Sequence, residues 1–106
     1  MDRRLELSEK LHNVFDDKVE KIYFQKPENN KLVYDCIIYN FDGYENVVAN
    51  DQLYLLRERY SVMHIHREAK DGLGKFFLDK KNFLFASHDR SFIADNLYHD
   101  VYVIYM

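Results

Sequence analysis

Apolar and polar positions recur along this chain with two periods, and the places where the period changes mark its elements. In residues 3–15, Leu7, Leu11, Val14 and Phe15 fall at i, i+4, i+7 and i+8, which predicts an amphipathic helix with Asp2 as its N-cap. The stretch VEKIYFQ (19–25) switches to alternation, with Ile22 and Phe24 on one side and Lys21, Tyr23 and Gln25 on the other, as a half-buried strand requires. Pro27, Glu28, Asn29 and Asn30 form a turn cluster. LVYDCIIYNF (32–41) then reads as a second strand, antiparallel to the first if the short connection is a hairpin loop.

DGYENVVANDQ (42–52) is too polar for a core strand yet carries Val47, Val48 and Ala49, so it is expected to be a protruding loop or β-arm. Alternation resumes from Tyr60 to His66, giving a third strand rich in β-branched and aromatic residues. In KDGLGKFFLDKK (70–81), Leu73, Phe76 and Phe77 at i, i+3 and i+4 predict a short helix with Asp71 as N-cap, weakened by Gly72 and Gly74. HDRSFIADN (88–96) reads as a polar corner before a last strand, from Leu97 onward. The order α-β-β-β-α-β describes a single α+β domain over residues 1–106. A mainly antiparallel sheet of about four strands, with both helices on one face, buries the apolar stripes economically.

The last strand raises a question of cover. Leu97, His99, Val101, Val103 and Tyr105 share one face, while Tyr98, Asp100, Tyr102, Ile104 and Met106 share the other, and from Val101 onward both faces are apolar. Either helices cover one side and the long loop the other, or the second face meets a neighbouring subunit. The composition of 9 Tyr and 8 Phe with no Trp suits the second possibility, since tyrosine joins large contact area to a polar tip.

At 106 residues, 47% hydrophobic and 31% charged, the chain fits one soluble domain. No apolar run approaches the ~20 residues that would span a bilayer. The first residues lack the uninterrupted apolar core of a secretory signal, so the chain is expected to stay in the cytosol. A net charge of −3 without a basic cluster argues against sequence-specific nucleic-acid binding. Cys36, the only cysteine, excludes an internal disulfide and a multi-thiolate zinc site, and its apolar neighbours assign it to packing.

Candidate chemistry is sparse. His64 and His66 in HIH share a strand face and can reach one metal ion, with His88, Asp89, His99 or Asp100 as a possible further ligand. The plainer reading is two histidines on a half-solvated strand, and no metal or other cofactor is assigned. Cys36, Ser61, Ser87 and Ser91 lie in no nucleophile motif, Asp16–Asp17 reads as a solvated helix end, and the three glycines form no phosphate-binding loop. The chain is therefore not expected to be an enzyme.

YFQKPEN (23–29), KLVYDCIIY (31–39) and DNLYHDVYVIY (95–105) resemble three blocks of small proteins encoded among the head–tail joining and tail genes of tailed phages, and the element order is similar to that of tail terminator, or tail completion, proteins. Asp95-Asn96-Leu97 with His99-Asp100 is the most specific part. The chain departs from the family at Lys26 and Asp35, where proline is frequent, and in HREAKD (66–71), where acids and a proline are usual. His64 and His66 stand where the family commonly shows an apolar residue and an acid, which argues against a shared metal site.

The resemblance implies a structural virion protein in the tail or neck: a homo-hexameric ring that caps the tail tube, contacts the tube protein and a head-completion or connector protein, and lets DNA pass through it. Another neck component, head closure or connector, is the near alternative. A small metal-dependent enzyme using His64 and His66 is the distant one. Ring closure needs a heterologous interface. The residues assigned to it are Tyr44, Val47, Val48 and Asn50 on the arm and Tyr98, Tyr102 and Ile104 on the last strand, with Lys18, Glu20 and Lys21 guarding the first strand's edge.

Overall fold

The structure is a computed structural model that describes residues 3–25, 32–49 and 52–106, and only the backbone of 46–49 and 52–56. The expected N-cap Asp2, the turn at 27–30 and Asn50 lie outside the described residues.

Helix α1 (Arg4–Phe15) packs Leu7, Leu11 and Phe15, all fully buried, onto one face of a five-stranded sheet. Burying each such side chain stabilises the fold by roughly 1.5–3 kcal/mol. At its start the Arg3 guanidinium pairs with Glu6, and the Arg3 backbone N–H donates to Glu58 Oε1 at 3.1 Å, which ties the helix to the sheet.

The strands are β1 (Lys21–Phe24), β2 (Cys36–Ala49), β3 (Gln52–His66), β4 (Ala86–Ala94) and β5 (Leu97–Tyr105), arranged in the order β1-β2-β3-β5-β4. All neighbours are antiparallel except β1 and β2, which run parallel in the register Ile22↔Ile37 and Phe24↔Tyr39. The expected hairpin between them is thus corrected: a parallel pair requires the connection to travel back the length of the strand. Leu32 and Tyr34, at its end, pack on the Cys36–Ile38–Ile65 cluster of the face away from α1.

Registers place one row of side chains after another beneath the helix. Phe24, Tyr39, Val62 and Tyr102 form one row across four strands, and Tyr60 and Ile104 belong to the next. They join the α1 side chains and the Phe76, Phe77 and Phe83 rings in a single core. Phe77 stacks on Tyr102 at 4.2 Å between centroids and on Phe15 at 4.5 Å. Offset aromatic pairs of this kind add about 0.5–1.5 kcal/mol each beyond their buried area.

Two further expectations change. The helix expected over 70–81 shrinks to a 3-10 turn (Ala69–Asp71) and a single turn α2 (Gly74–Phe77), because Gly72 and Gly74 interrupt it. The polar corner at 88–96 is mostly strand: β4 is a sheet edge whose residues are largely exposed, so solvent-facing Ser, Asp and Arg are compatible with pairing. The true corner is Asp95-Asn96, both with positive φ (54° and 63°), as a two-residue hairpin connection of the mirror-image type demands. β5 is accordingly interior, flanked by β3 and β4.

The segment at 42–52 continues β2 into a long hairpin with β3, the β-arm form of the expectation. β5 pairs with β3 from Arg59 to His66, and its end meets Glu58 through two backbone hydrogen bonds to Met106. Beyond that point the hairpin is a two-stranded ribbon, and the molecule measures 48 × 28 × 25 Å.

Candidate functional site

Two regions carry groups that the core does not explain. The first is polar and lies on the helix-covered face. Register pairs His64 with Asp100 and His66 with Tyr98, and on the far side of β5 it pairs Ser91 with Asp100. Since alternate residues share a face, His64, His66 and Asp100 all point the same way as Val62 and Tyr102. His64 is 1% exposed and His66 2%, so the expectation of a half-solvated strand is corrected: the sheet's own core row encloses them.

The cluster is tightly connected. His66 Nε2 lies 2.7 Å from Asp100 Oδ2, and His66 Nδ1 lies 2.7 Å from the Glu68 carbonyl oxygen. The Ser91 hydroxyl donates to Asp100 Oδ1 at 2.6 Å, and His88 Nε2 lies 2.8 Å from that hydroxyl. The His64 ring stacks on His66 at 4.4 Å, with Tyr98 stacked on the other side at 5.5 Å, and His64 Nδ1 is buried without a hydrogen-bond partner. Burial, with the neighbouring His66 second, pushes the His64 pKa down to about 4, so this ring is neutral at pH 7. Burial raises the Asp100 pKa, but the Ser91 hydroxyl and the adjacent His66 outweigh it and hold the carboxyl below the usual carboxylate range.

Of the four residues named from sequence as a possible further ligand, Asp100 converges on the histidine pair. His88 reaches it indirectly through Ser91. His99 points to the opposite face, where it stacks on Phe92, and Asp89 is bulged out of the β4–β5 ladder. Ser91 has no triad geometry, since its hydroxyl donates to the carboxylate that binds a different histidine.

The second region is the outer hairpin and the sheet margins. Tyr44 is 59% exposed, and its ring meets Phe41 edge-on at 5.1 Å. Val47 and Val48 flank a register shift whose extra residue, Tyr54, lies on β3, with backbone alone described. Tyr98 is half-buried against His66. Tyr102 and Ile104, 3% and 1% exposed, belong to the monomer's own core, which corrects their assignment to an interface: neither has surface left for a partner. The exposed apolar groups that sequence reading missed are Phe92 and Ile93 on the β4 edge and Leu84 and Phe85 just before it. For Leu84 and Phe85 the signal was the run NFLFAS (82–87), which no amphipathic period absorbs; for Phe92 and Ile93 it was SFIA (91–94) inside the supposed polar corner.

Comparison with protein-family models, with curated proteins and with solved structures finds no match to this chain. No helix among the described residues is long and apolar enough to cross a membrane.

Proposed function

We propose that this chain is a structural subunit without enzymatic activity, which closes with copies of itself into the hexameric ring that terminates the tail tube of a tailed phage and receives the head-completion or connector protein. The observation that carries this reading is the ribbon formed by the outer halves of β2 and β3, with Tyr44 exposed at its root. A two-stranded ribbon is marginal in water on its own, and a neighbouring subunit is an economical source of the missing contacts. The edge strands agree with controlled association. Glu20 and Lys21 are exposed at the β1 margin, and the β4 edge carries polar residues and a bulge at His88–Arg90, devices that prevent indiscriminate strand addition. Exposed Phe92 and Ile93 supply apolar area for a specific partner on that same edge. The resemblance of three sequence blocks to small proteins encoded among phage head–tail joining and tail genes supports a position at the end of the tail.

Native mass spectrometry and negative-stain imaging of the purified protein, alone and with tail-tube subunits, test the proposal. Six-fold rings are the expected result. Monomers under both conditions overturn it.

A further inference from the structure

The geometry points to a zinc-type divalent metal site, independent of ring assembly, held by one ring nitrogen of His64, His66 Nε2 and an Asp100 carboxylate oxygen, which cross-links β3 to β5. The three ligand atoms lie within 4.8 Å of one another. Two imidazoles and a carboxylate form a donor set suited to Zn²⁺ and its borderline neighbours in the first transition row.

The hydrogen-bond inventory calls for positive charge at this contact. The Glu68 carbonyl only accepts, so His66 Nδ1 must carry a hydrogen and donate it. A neutral imidazole then presents a lone pair at Nε2, and that atom faces Asp100 Oδ2 at 2.7 Å, lone pair against lone pair. Either a second proton or a metal ion relieves this contact. A second proton leaves the neighbouring His64 Nδ1 buried without a partner, a condition that ordinarily destabilises by about 1–3 kcal/mol, and sets a positive charge against that ring. An ion among the three groups replaces the Nε2 proton and offers the unpartnered imidazole something to bind.

The surroundings have the form of an outer shell around such an ion. The Glu68 carbonyl fixes the His66 tautomer with Nε2 free to ligate, and the Ser91 hydroxyl orients the carboxylate through its other oxygen. Tetrahedral zinc with ligand bonds of about 2.0–2.1 Å sets ligand atoms roughly 3.3 Å apart, so His66 and Asp100 separate by about 0.6 Å while His64 closes toward them. Both imidazoles are buried, which suits a cross-link between strands better than a reaction centre open to substrate.

The test uses the full untagged chain, stripped with chelator and then equilibrated with Zn²⁺. The expected result is about one equivalent of zinc per chain by elemental analysis, with a melting temperature raised relative to the chelated protein. His64→Gln and Asp100→Asn should weaken zinc binding by roughly 100-fold or more, Ser91→Ala by roughly 10-fold, and His12→Gln, on the surface of α1, not at all. Should the ligand variants fail to fold, Co²⁺ added to the stripped wild-type chain still decides. Intense visible bands of four-coordinate cobalt support the site, and the pale spectrum of hydrated cobalt overturns it. Zinc far below one equivalent, or stoichiometric zinc undiminished in folded His64→Gln and Asp100→Asn, also overturns it.

Discussion

The inner and outer halves of the β2–β3 hairpin have the same hydrogen-bonding pattern but rest on different physics. From Cys36 to Tyr39 and from Tyr60 to His66 each strand has a neighbour on both sides, and Ile37, Tyr39, Tyr60 and Val62 are buried under α1. Beyond the Tyr44–Glu58 pair, where Glu58 still bonds Met106, the described backbone of the two strands pairs only with itself. The joint between the halves is built explicitly. The register slips between Phe41 and Tyr44, Gly43 adopts φ 105°, and the Arg59 guanidinium binds the Asp42 carbonyl oxygen at 2.8 Å and its carboxylate at 3.3 Å. A side chain on Gly43 would be strained by that φ and crowd the Arg59 guanidinium. Just past the joint, Arg57 pairs with Glu45 and lies over the Phe85 and Tyr105 rings, which seals the end of the sheet. Backbone pairing, then, carries both strands well beyond the described core of the inner half.

The largest effect follows from removing the inner half's neighbour. Deleting residues 101–106 takes away ladder bonds on both sides of β5 together with buried Val101, Tyr102 and Ile104. Burial of those three side chains alone is of the same order as the ~5–15 kcal/mol that stabilises a typical domain. We expect the truncated chain to be unfolded by circular dichroism at 25 °C. A native-like spectrum would mean that the inner half does not depend on β5.

The contrast also explains what could be read from sequence. The inner strands and β5 were legible because burial of one or both faces imposes alternation or continuous apolarity: Tyr60–His66 and Leu97–Met106 were recognised for that reason. β4 was not, since an edge strand buries little and HDRS leaves no periodic trace. The direction of β2 relative to β1 was misjudged because a linker's length does not say whether it turns or crosses back. HIH announced two imidazoles on one face, but whether that face was wet or dry depended on tertiary packing that the segment does not encode. Asp100 became their partner only through the β3–β5 register, a long-range fact that neither segment encodes alone. The same register turned Tyr102 and Ile104 inward, where composition alone suggested an interface.

An intermediate effect probes how dry the inner half is. Cys36 is fully buried at the root of β2, and that burial, with Asp35 second, pushes its thiol pKa up from 9.0 to about 11. Unfolded chains lose this proton near pH 9 and folded ones only near 11, so the folded state binds more protons in between. Stability fully present below pH 9 is therefore lost as pH rises through that window, by on the order of 2–3 kcal/mol. Tyr102, pushed up to about 12 by burial, acts in the same direction at higher pH. Urea unfolding at pH 8 and pH 11 should show the decline in the wild type and a smaller one in Cys36→Ala. Equal declines would place water at the root of β2.

The smallest effect on folding, and the most informative about purpose, comes from the outer half. Replacing residues 46–56 with Asn-Gly joins Glu45 to Arg57, which are register partners, through a turn whose twist matches the strands. The change leaves in place the Arg57 contacts to Glu45, Phe85 and Tyr105 and every buried core residue. Urea unfolding should accordingly find stability within about 1 kcal/mol of the parent, as expected when the described core is left intact. Ring formation, if the ribbon reaches a neighbouring subunit, should vanish in the same protein, because a heterologous interface that loses one of its two complementary patches cannot close. Intact rings from the shortened chain would transfer the interface to the β4 edge with its exposed Phe92 and Ile93. A loss of stability comparable to that of a core truncation would instead mean that the ribbon supports its own subunit, erasing the distinction between the two halves.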